Sequence, residues 1–396
     1  MTDERPSSRP WTAPPVIAIG GGLAGAAFAI ELARHGVRVI VLESSRGPRH
    51  LVCGEFLSEA AQNLLRQLGV DPHTRGATSI ERFRLVKGER QVVTHLPFAA
   101  ATLSRYRLDE MLLEAAERAG AEVIRGTRVT RIEPGAGTVI VRDAERMWHA
   151  AAVCLATGKH SMRGFSRPPS PSVGFKMHLQ PTSADRELAR TVQLVFFRGG
   201  YVGACVVEDR ILSLAWVMLD QSVRTVGSGW KEQREYLARQ SSRIGDLLVG
   251  AQPLIERPVA VAGIPYGYLR RQSIAPNIYP VGDQLAVIPS FTGDGIAIAL
   301  YSGVAAARAF LTGQQADIWQ RQMIRRLQSQ FRLAHGIGRL LETPMCGISL
   351  AAAKIVPSLV RFAAAATRLR GFEHGALQEP AVPHYREDAR KSTAMK

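Results

Sequence analysis

Two hydrophobic patterns alternate along the chain. Short, continuously apolar runs, such as Val16–Ile19 and residues 37–43, predict buried strands of a parallel sheet. Longer runs with apolar residues at helical spacing, at 58–70 and 107–119, predict amphipathic helices. The further runs predict strands in 121–133 and 138–156, a β-hairpin at 79–95 that turns at Lys87-Gly88, a β-rich stretch at 170–220, and helices at 229–250, 294–312 and 313–371. The fold class we expect is therefore α/β (α+β overall).

The composition narrows the class of protein. The 396 residues are 46% hydrophobic and 21% charged, which is typical of a soluble globular protein. The N-terminus lacks the apolar segment of a signal peptide, and no run of 18 apolar residues could span a bilayer. The four cysteines are far apart in the chain, which argues against a zinc site and a disulfide framework and favours a reducing cytoplasm (Cys53, Cys154, Cys205 and Cys346).

The net charge is +16, and most of the basic residues are arginines. No run of basic residues is interleaved with aromatic ones, so we expect no nucleic-acid partner. Two explanations stay open: a genome-wide bias toward arginine, or attraction to anionic ligands or membranes. The segment 313–371 is apolar with spaced cations, so it either packs on the core or contacts a membrane surface peripherally.

A glycine motif of the form G-x-G-x-x-G directly follows the first strand, at Gly20, Gly22 and Gly25. In such a turn the first glycine allows the tight bend, the second lets a pyrophosphate approach, and the third lets helix and strand pack closely. Glu43 ends the next strand, where a carboxylate accepts hydrogen bonds from ribose hydroxyls and would repel a 2′-phosphate. This βαβ unit predicts a dinucleotide site that is not selective for NADP.

A second glycine-rich turn distinguishes FAD from NAD. Residues 277–285 end a strand at Gly282-Asp283, and the motif PSFTGDGI at 289–296 then begins a helix. Asp283 could accept hydrogen bonds from the ribityl chain of a flavin, and the N-terminus of the helix could stabilise negative charge on the reduced ring. A second glycine-rich turn has no role in a domain that binds only NAD, so the pair of motifs indicates FAD.

The motifs together resemble a known family. The segments GGGLAG, Glu43, Val52-Cys53-Gly54-Glu55, Arg105-x-x-Leu108, Gly282-Asp283 and PSFTGDGI are similar to those of flavoproteins of the p-hydroxybenzoate hydroxylase type, and most of all to the geranylgeranyl reductase branch. The resemblance covers about residues 16–312. It implies contacts to FAD, beside the motif glycines, from Ala24, Glu43, Cys53, Gly54, Arg105, Val129 on a strand, Asp283, Gly295 and Ile296.

Because β-rich segments interrupt the α/β segments, we expect two interleaved domains. The FAD-binding domain comprises 16–78, 101–169 and 276–312, and the substrate domain comprises 79–100 and 170–275. The helices at 313–371 follow, with polar tails at 1–15 and 372–396.

Two segments depart from the family pattern. Thr157 and Gly164 stand where many of the hydroxylases carry Asp and Arg in a segment that serves both FAD and NAD(P)H. At 201–206 only Tyr201 remains of the Tyr-x-Trp-x-Phe-Pro stretch of the prenyl reductases. NAD(P)H is still the electron donor that we expect.

No catalytic side chain stands out, which suits an enzyme whose cofactor performs the reaction. Cys53 is predicted to lie near the flavin, as either a functional thiol or a small packing residue. His178 and Tyr201 either line the substrate pocket or pack within the sheet. We expect an FAD-dependent monooxygenase of the cytoplasm that acts on a small hydrophobic, aromatic or polyketide-like substrate. Reduction of isoprenoid double bonds and a non-catalytic flavin-binding role are the alternatives, and the oligomeric state stays open.

Overall fold

The structure, a computed structural model, describes residues 13–135, 137–181, 188–342 and 368. The strands, numbered in chain order, are β1 Val16–Ile19, β2 Val39–Glu43, β3 Phe56–Leu57, β4 Thr78–Lys87, β5 Arg90–Thr102, β6 Glu122–Arg125, β7 Arg131–Pro134, β8 Val139–Arg142, β9 Met147–Ala150, β10 Ala152–Leu155, β11 Ser172–Gln180, β12 Thr191–Phe197, β13 Gly200–Val206, β14 Leu212–Leu219, β15 Gln252–Pro253, β16 Val259–Ala262, β17 Tyr268–Leu269, β18 Ile278–Pro280 and β19 Ala286–Val287. The α-helices are α1 Leu23–Arg34, α2 Glu59–Gln67, α3 Arg105–Arg118, α4 Asp220–Val226, α5 Trp230–Gln240, α6 Ser242–Leu248, α7 Gly295–Leu311 and α8 Ala316–Glu342.

A parallel sheet with strand order β18-β10-β1-β2-β6 forms the first layer. Its strands are apolar throughout because both faces are covered. Ala18 and Val41 face the core shared with α1, α3 and α7, whereas Ile17 and Leu42 face the core shared with the three-stranded sheet β7-β8-β9. The predicted α/β class is confirmed.

A larger sheet with strand order β15-β11-β14-β13-β12-β4-β5-β3 forms the second layer, and β16 pairs with β11. Its pairings are antiparallel except for β12 with β4. Leu237 of α5 and Ile244 of α6 pack on one face of this sheet. Part of the opposite face, including Leu194 and Tyr201, lines a cavity toward the parallel sheet.

Most predicted elements are present, with shifted ends. The hairpin turns between Lys87 and Arg90, and helices occupy most of 229–250 and 294–312. Of the segment 313–371, the structure describes residues 313–342, which include α8, and Arg368. The remainder lies outside the described residues, as do residues 1–12 and the tail 372–396. Within the described ranges, no helix is long and apolar enough to cross a membrane. The proposed domain boundaries stay a prediction.

Candidate functional site

A cavity of about 1150 Å³ lies where the two sheets face each other. Of the residues predicted to contact the cofactor, all but Gly25 line this cavity. They are Gly20, Gly22, Ala24, Glu43, Cys53, Gly54, Arg105, Val129, Asp283, Gly295 and Ile296. The fold therefore brings segments from most of the chain's length to one space. Whether each residue contacts the cofactor stays a proposal.

The first glycine turn is built as its motif predicts. Gly20 has φ +101°, and a Cβ built there would lie 2.5 Å from the Ala156 carbonyl oxygen. A Cβ on Gly25 would lie 1.9 Å from the Gly20 carbonyl oxygen, so Gly25 serves helix packing rather than lining the cavity. A Cβ on Gly22 would come no closer than 3.5 Å to another group, which is the Arg105 guanidinium. The space above Gly22 is thus open to a ligand at the start of α1.

Glu43 fixes the shape of this turn. It ends β2, is only 6% exposed, and accepts hydrogen bonds from the backbone N–H of Gly21 at 2.8 Å and of Ser45 at 2.7 Å. Arg49 lies 3.4 Å from the same carboxylate. Ser44 Oγ also donates to Oε1 at 3.2 Å, so Oε1 has three donors, whereas Oε2 accepts only from Gly21. Because a carboxylate oxygen offers two acceptor positions, Oε2 retains one for a ribose hydroxyl.

Arg105 begins α3 beside the same turn. Its guanidinium donates two hydrogen bonds to the Asp109 carboxylate, at 2.5 Å and 2.8 Å. Burial by itself would lower the pKa of Arg105, but the Asp109 carboxylate and the Cys53 sulfur raise it. Arg105 therefore stays charged, and its guanidinium and the Asp109 carboxylate both lie beside the space above Gly22.

The segment of residues 52–55 forms another wall of the cavity. Cys53 is half-buried, and its Sγ accepts a hydrogen bond from the Glu55 N–H at 3.4 Å. Val129 lines the cavity from the loop between β6 and β7. The expectation that Val129 lies on a strand is wrong, because the chain between these two strands must cross from one sheet to another.

The second glycine turn begins beside the first, since a Cβ built on Gly282 would lie 3.2 Å from Ala24 Cβ. The Asp283 carboxylate accepts a hydrogen bond from the Lys159 ammonium at 3.2 Å. The helix α7 begins at Gly295, where an added Cβ would meet nothing within 4 Å. Asp294, which is fully buried, accepts a hydrogen bond from Ser58 at 3.2 Å and holds the start of this helix in place.

These features fit FAD. Two helices begin at the cavity with a glycine whose missing side chain leaves room, at Gly22 and Gly295. A buried carboxylate, Glu43, lies at the nucleotide end. The N-terminus of α1 at Gly22 can accommodate the pyrophosphate of FAD, and the N-terminus of α7 at Gly295 can accommodate its electron-rich ring.

A second part of the cavity is mainly apolar. Its walls come from β4, β5, β12, the turn before α7 and the end of α8, and they consist of Phe83, Leu85, Leu96, Val192, Leu194, Phe196, Phe291, Ile337 and Leu340. This part is continuous with the glycine turns, so a cofactor and an apolar substrate fit in one space.

Three hydroxyl groups meet in the apolar part. Ser290 forms hydrogen bonds with the hydroxyls of Tyr201 and Tyr266, the second at 3.0 Å, and all three residues line the cavity. Burial raises the pKa of Tyr266 to about 12 and that of Tyr201 well above its ordinary value. Both phenols therefore stay protonated at neutral pH.

Sequence reasoning did not single out Tyr266 or Ser290. Ser290 belongs to the PSFTGDGI motif, which was a usable signal, whereas Tyr266 lies in a loop without a pattern. Of the earlier candidates, Tyr201 lines the cavity, whereas His178 is buried behind the wall and contacts Glu55. Among the residues that the structure describes, no group of three or more His, Cys, Asp or Glu could hold a metal ion.

Cations surround one rim of the cavity. Arg128 and Arg163 are exposed there, near Lys159. Burial lowers the pKa of His160 on the same rim, and Arg49, Arg128, Arg167 and Lys159 lower it further. The rim thus has a positive potential that attracts anions.

Comparison with known proteins agrees with this site. A family model described as an FAD binding domain matches residues 14–150. Digeranylgeranylglycerophospholipid reductase 2 of Methanosphaera stadtmanae is 27% identical over 326 residues, which cover 75% of this chain and 79% of the relative. The menaquinone reductase of Mycolicibacterium smegmatis is 23% identical over 360 residues, which cover 83% of this chain and 85% of the relative.

The fold also matches a solved flavoprotein/dehydrogenase from Cytophaga hutchinsonii with a TM-score of 0.76 and 16% identity, covering 90% of this chain and 93% of that one. The resemblance inferred from the motifs is therefore confirmed at the level of the superfamily. The chain is thus similar to FAD-dependent oxidoreductases of the p-hydroxybenzoate hydroxylase-like superfamily, and its residues 14–150 match an FAD binding domain.

Proposed function

We propose that this protein is an FAD-dependent reductase that saturates a carbon–carbon double bond in an apolar, isoprenoid-type substrate. The observation that supports it is the long apolar part of the cavity, which runs from Cys53 beside the glycine turns to Ile337 and Leu340 of α8. A small aromatic substrate would leave much of this apolar surface exposed to water. This reverses the order that the sequence favoured, in which hydroxylation of a small substrate came first.

The curated relatives support the same choice. The two described above are named as reductases of a digeranylgeranyl lipid and of menaquinone. Each covers at least three quarters of this chain. Their names suggest that a substrate with a long apolar chain suits this arrangement of sheets.

The residues of the chain divide the work between binding and proton supply. We propose that Glu43, Arg105, Asp283 and the two glycine turns hold FAD, whose chemistry when bound is hydride transfer. The apolar walls exclude water and orient the double bond. Saturation also needs a proton, and the linked hydroxyls of Tyr201, Ser290 and Tyr266 hold protons inside the cavity.

We propose NADH or NADPH as the electron donor. The exposed Arg128 and Arg163 beside Lys159 offer a positive rim to the phosphates of such a donor. Anaerobic titration of the FAD-loaded protein with each nucleotide, followed by the loss of flavin absorbance, tests this. Full reduction by neither nucleotide would contradict it and would indicate a protein donor.

We also propose that the apolar substrate reaches the cavity from a membrane surface. The side chains of Leu333 and Leu340 on α8 are 38% and 42% exposed, and they lie in the basic segment predicted for peripheral contact. Sedimentation with vesicles of anionic lipid, compared with neutral vesicles, tests this. Equal recovery in the supernatant for both would contradict it.

The reaction itself is tested with reduced, FAD-loaded protein and two classes of substrate, a menaquinone that bears an isoprenoid chain and a small phenol, with and without oxygen. After the quinone ring is reoxidised, a product that is still heavier by about 2 mass units has two hydrogens added to its isoprenoid chain and supports the reductase. A gain of about 2 mass units that reoxidation removes would show reduction of the quinone ring alone and would contradict it. A product heavier by about 16 mass units that appears only with oxygen would overturn it in favour of hydroxylation. If neither substrate class changes the flavin spectrum, the non-catalytic alternative comes first.

A matched pair of variants separates cavity effects from loss of stability. Leu194 and Val195 are neighbours on β12 and are 9% and 1% exposed, but only Leu194 lines the cavity. We expect Leu194→Ala to change the KM for the isoprenoid substrate. We expect Val195→Ala to lower the melting temperature and leave the KM unchanged, because successive side chains of a strand point to opposite faces.

Hydroxylation of an aromatic ring is the second candidate, and the hydroxyl groups of Tyr201 and Tyr266 favour it. Phenols that stay protonated could bind an oxygen substituent of the ring, and Phe196 and Phe291 lie within 6.0 Å of the Tyr201 ring, centroid to centroid. The oxygen-dependent product above decides between the two.

A further inference from the structure

A group of buried charges lies directly behind the cavity wall formed by residues 52–55. Glu55 and Lys176 have no exposed surface, and His178 is 2% exposed. The Glu55 carboxylate accepts hydrogen bonds from the Lys176 ammonium at 2.5 Å and from His178 Nε2 at 2.8 Å. We call these three residues the buried charge cluster.

The ammonium of Lys176 is completely satisfied. Besides Glu55, it donates to Ser213 Oγ at 2.5 Å and to the Cys53 carbonyl oxygen at 3.1 Å. An ammonium has three protons, so each of them has one acceptor. The position of the Cys53 backbone is thereby fixed to β11 of the larger sheet.

Glu55 extends the same connection to the FAD side of the molecule. Its second carboxylate oxygen accepts a hydrogen bond from the backbone N–H of Arg105 at the start of α3, at 3.1 Å. Its backbone has φ +58°, a conformation that costs free energy for a residue with a side chain. One side chain thus joins the larger sheet, the cavity wall and the helix that carries Arg105.

The contacts follow the register of the strand. Alternate residues of β11 point to the same face. There, Gly174 lies against Val52, since an added Cβ would be 2.9 Å from Val52 Cγ1, and Lys176 contacts Cys53. Consecutive residues of the wall, Val52 and Cys53, therefore contact alternate residues of β11, Gly174 and Lys176.

Stability by itself does not account for this arrangement. Burial would raise the pKa of Glu55, but Lys176 and His178 hold it below its ordinary value, so the carboxylate stays charged. A buried ion pair can be replaced by apolar residues of similar volume at little or no cost in stability. What an apolar replacement cannot provide is the directed set of hydrogen bonds that fixes Cys53 and Arg105.

We propose that Lys176, Glu55 and His178 are positioning residues that hold Cys53 and Gly54 at the FAD cavity and so set the environment of the flavin. The proposal rests on FAD occupying the cavity and not on which reaction follows. It assigns no direct contact with substrate to the three residues.

The test uses the double variant Lys176→Met/Glu55→Gln, which leaves no unpaired buried charge. Three quantities are measured: the FAD dissociation constant, the flavin reduction potential, and the rate of Cys53 alkylation in FAD-free protein, read from the Cys53 peptide. We expect FAD to bind about tenfold more weakly, the loss of about one charged hydrogen bond. We also expect a shifted potential and faster alkylation of Cys53.

A matched control distinguishes this role from a general effect of losing a buried ion pair. Glu31 is 5% exposed, pairs with Arg308 at 2.6 Å, and lies outside the cavity. We expect Glu31→Gln to lower the melting temperature without changing any of the three quantities. If the double variant does not fold, Ser213→Ala, which removes one acceptor of the Lys176 ammonium, should change the same quantities in the same direction.

Unchanged FAD affinity, potential and Cys53 alkylation in a folded variant would overturn the proposal. Alkylation of FAD-free protein does not depend on the cofactor. A failure of the wild-type protein to bind FAD would therefore refute the proposed function, while the alkylation rates still decide whether the cluster positions Cys53.

Discussion

Replacing Glu43 by Gln should weaken FAD binding through two separate losses. The carboxylate accepts hydrogen bonds from the N–H groups of Gly21 and Ser45, and it is nearly buried. An amide has only one acceptor oxygen, so its NH₂ group must face one of these N–H donors. A hydrogen bond to a charged group is worth about 1.5–3 kcal/mol, so the glycine turn loses about that much.

The second loss is at the ribose, where a neutral amide is a poorer acceptor than a carboxylate. We expect the FAD dissociation constant to rise by at least about tenfold, which corresponds to 1.4 kcal/mol. Titration of FAD-free protein by flavin fluorescence measures this constant, and denaturant unfolding of the same protein measures the stability of the turn. Glu43→Arg, which places a cation at the ribose, should abolish flavin retention during purification.

Glu110→Gln is the matched control. Glu110 also lines the cavity, but its ion pair with Arg125 at 2.7 Å is partly exposed, and such pairs contribute little. Its FAD dissociation constant should stay within about twofold of wild type. Normal FAD affinity in a destabilised Glu43→Gln protein would show that Glu43 shapes the turn without binding the ribose.

Three further predictions concern other walls of the cavity. Gly295→Val should lower the flavin content of the purified protein, because the added side chain fills the open space at the start of α7. Flavin absorbance after gel filtration measures this content, and full occupancy would show that the turn is structural only. Arg105→Leu should reduce the free energy of unfolding by about 2 kcal/mol, because it removes the partner of Asp109, whose side chain is only 16% exposed. An unchanged midpoint in denaturant unfolding would contradict this. Burial raises the pKa of Tyr266 to about 12, so between pH 10 and 12 the folded state keeps a proton that the unfolded state loses. The free energy of unfolding should therefore fall as pH rises above 10, and Tyr266→Phe should show a smaller fall. Identical pH profiles for the two proteins would refute the shift.

The sequence by itself determined the nucleotide end of the site. The strand, the turn at Gly20–Gly25 and the helix that follows are contiguous, so their conformations depend on nearby residues. Glu43 could be placed from spacing alone, because the length of a βαβ unit fixes where the second strand ends. The second turn at 289–296 was recognisable for the same reason.

Only the tertiary structure decided what lies opposite those turns. Tyr201, Tyr266 and Ser290 meet because three separate segments end at one cavity, and no local pattern encodes that meeting. The ion pair of Lys176 with Glu55, 121 positions earlier, was likewise not predicted, because no local pattern links residues so far apart. Local propensity and periodicity act over a few residues, whereas contacts between distant segments depend on how the sheets pack, and that packing determined both the apolar walls and the buried charge cluster.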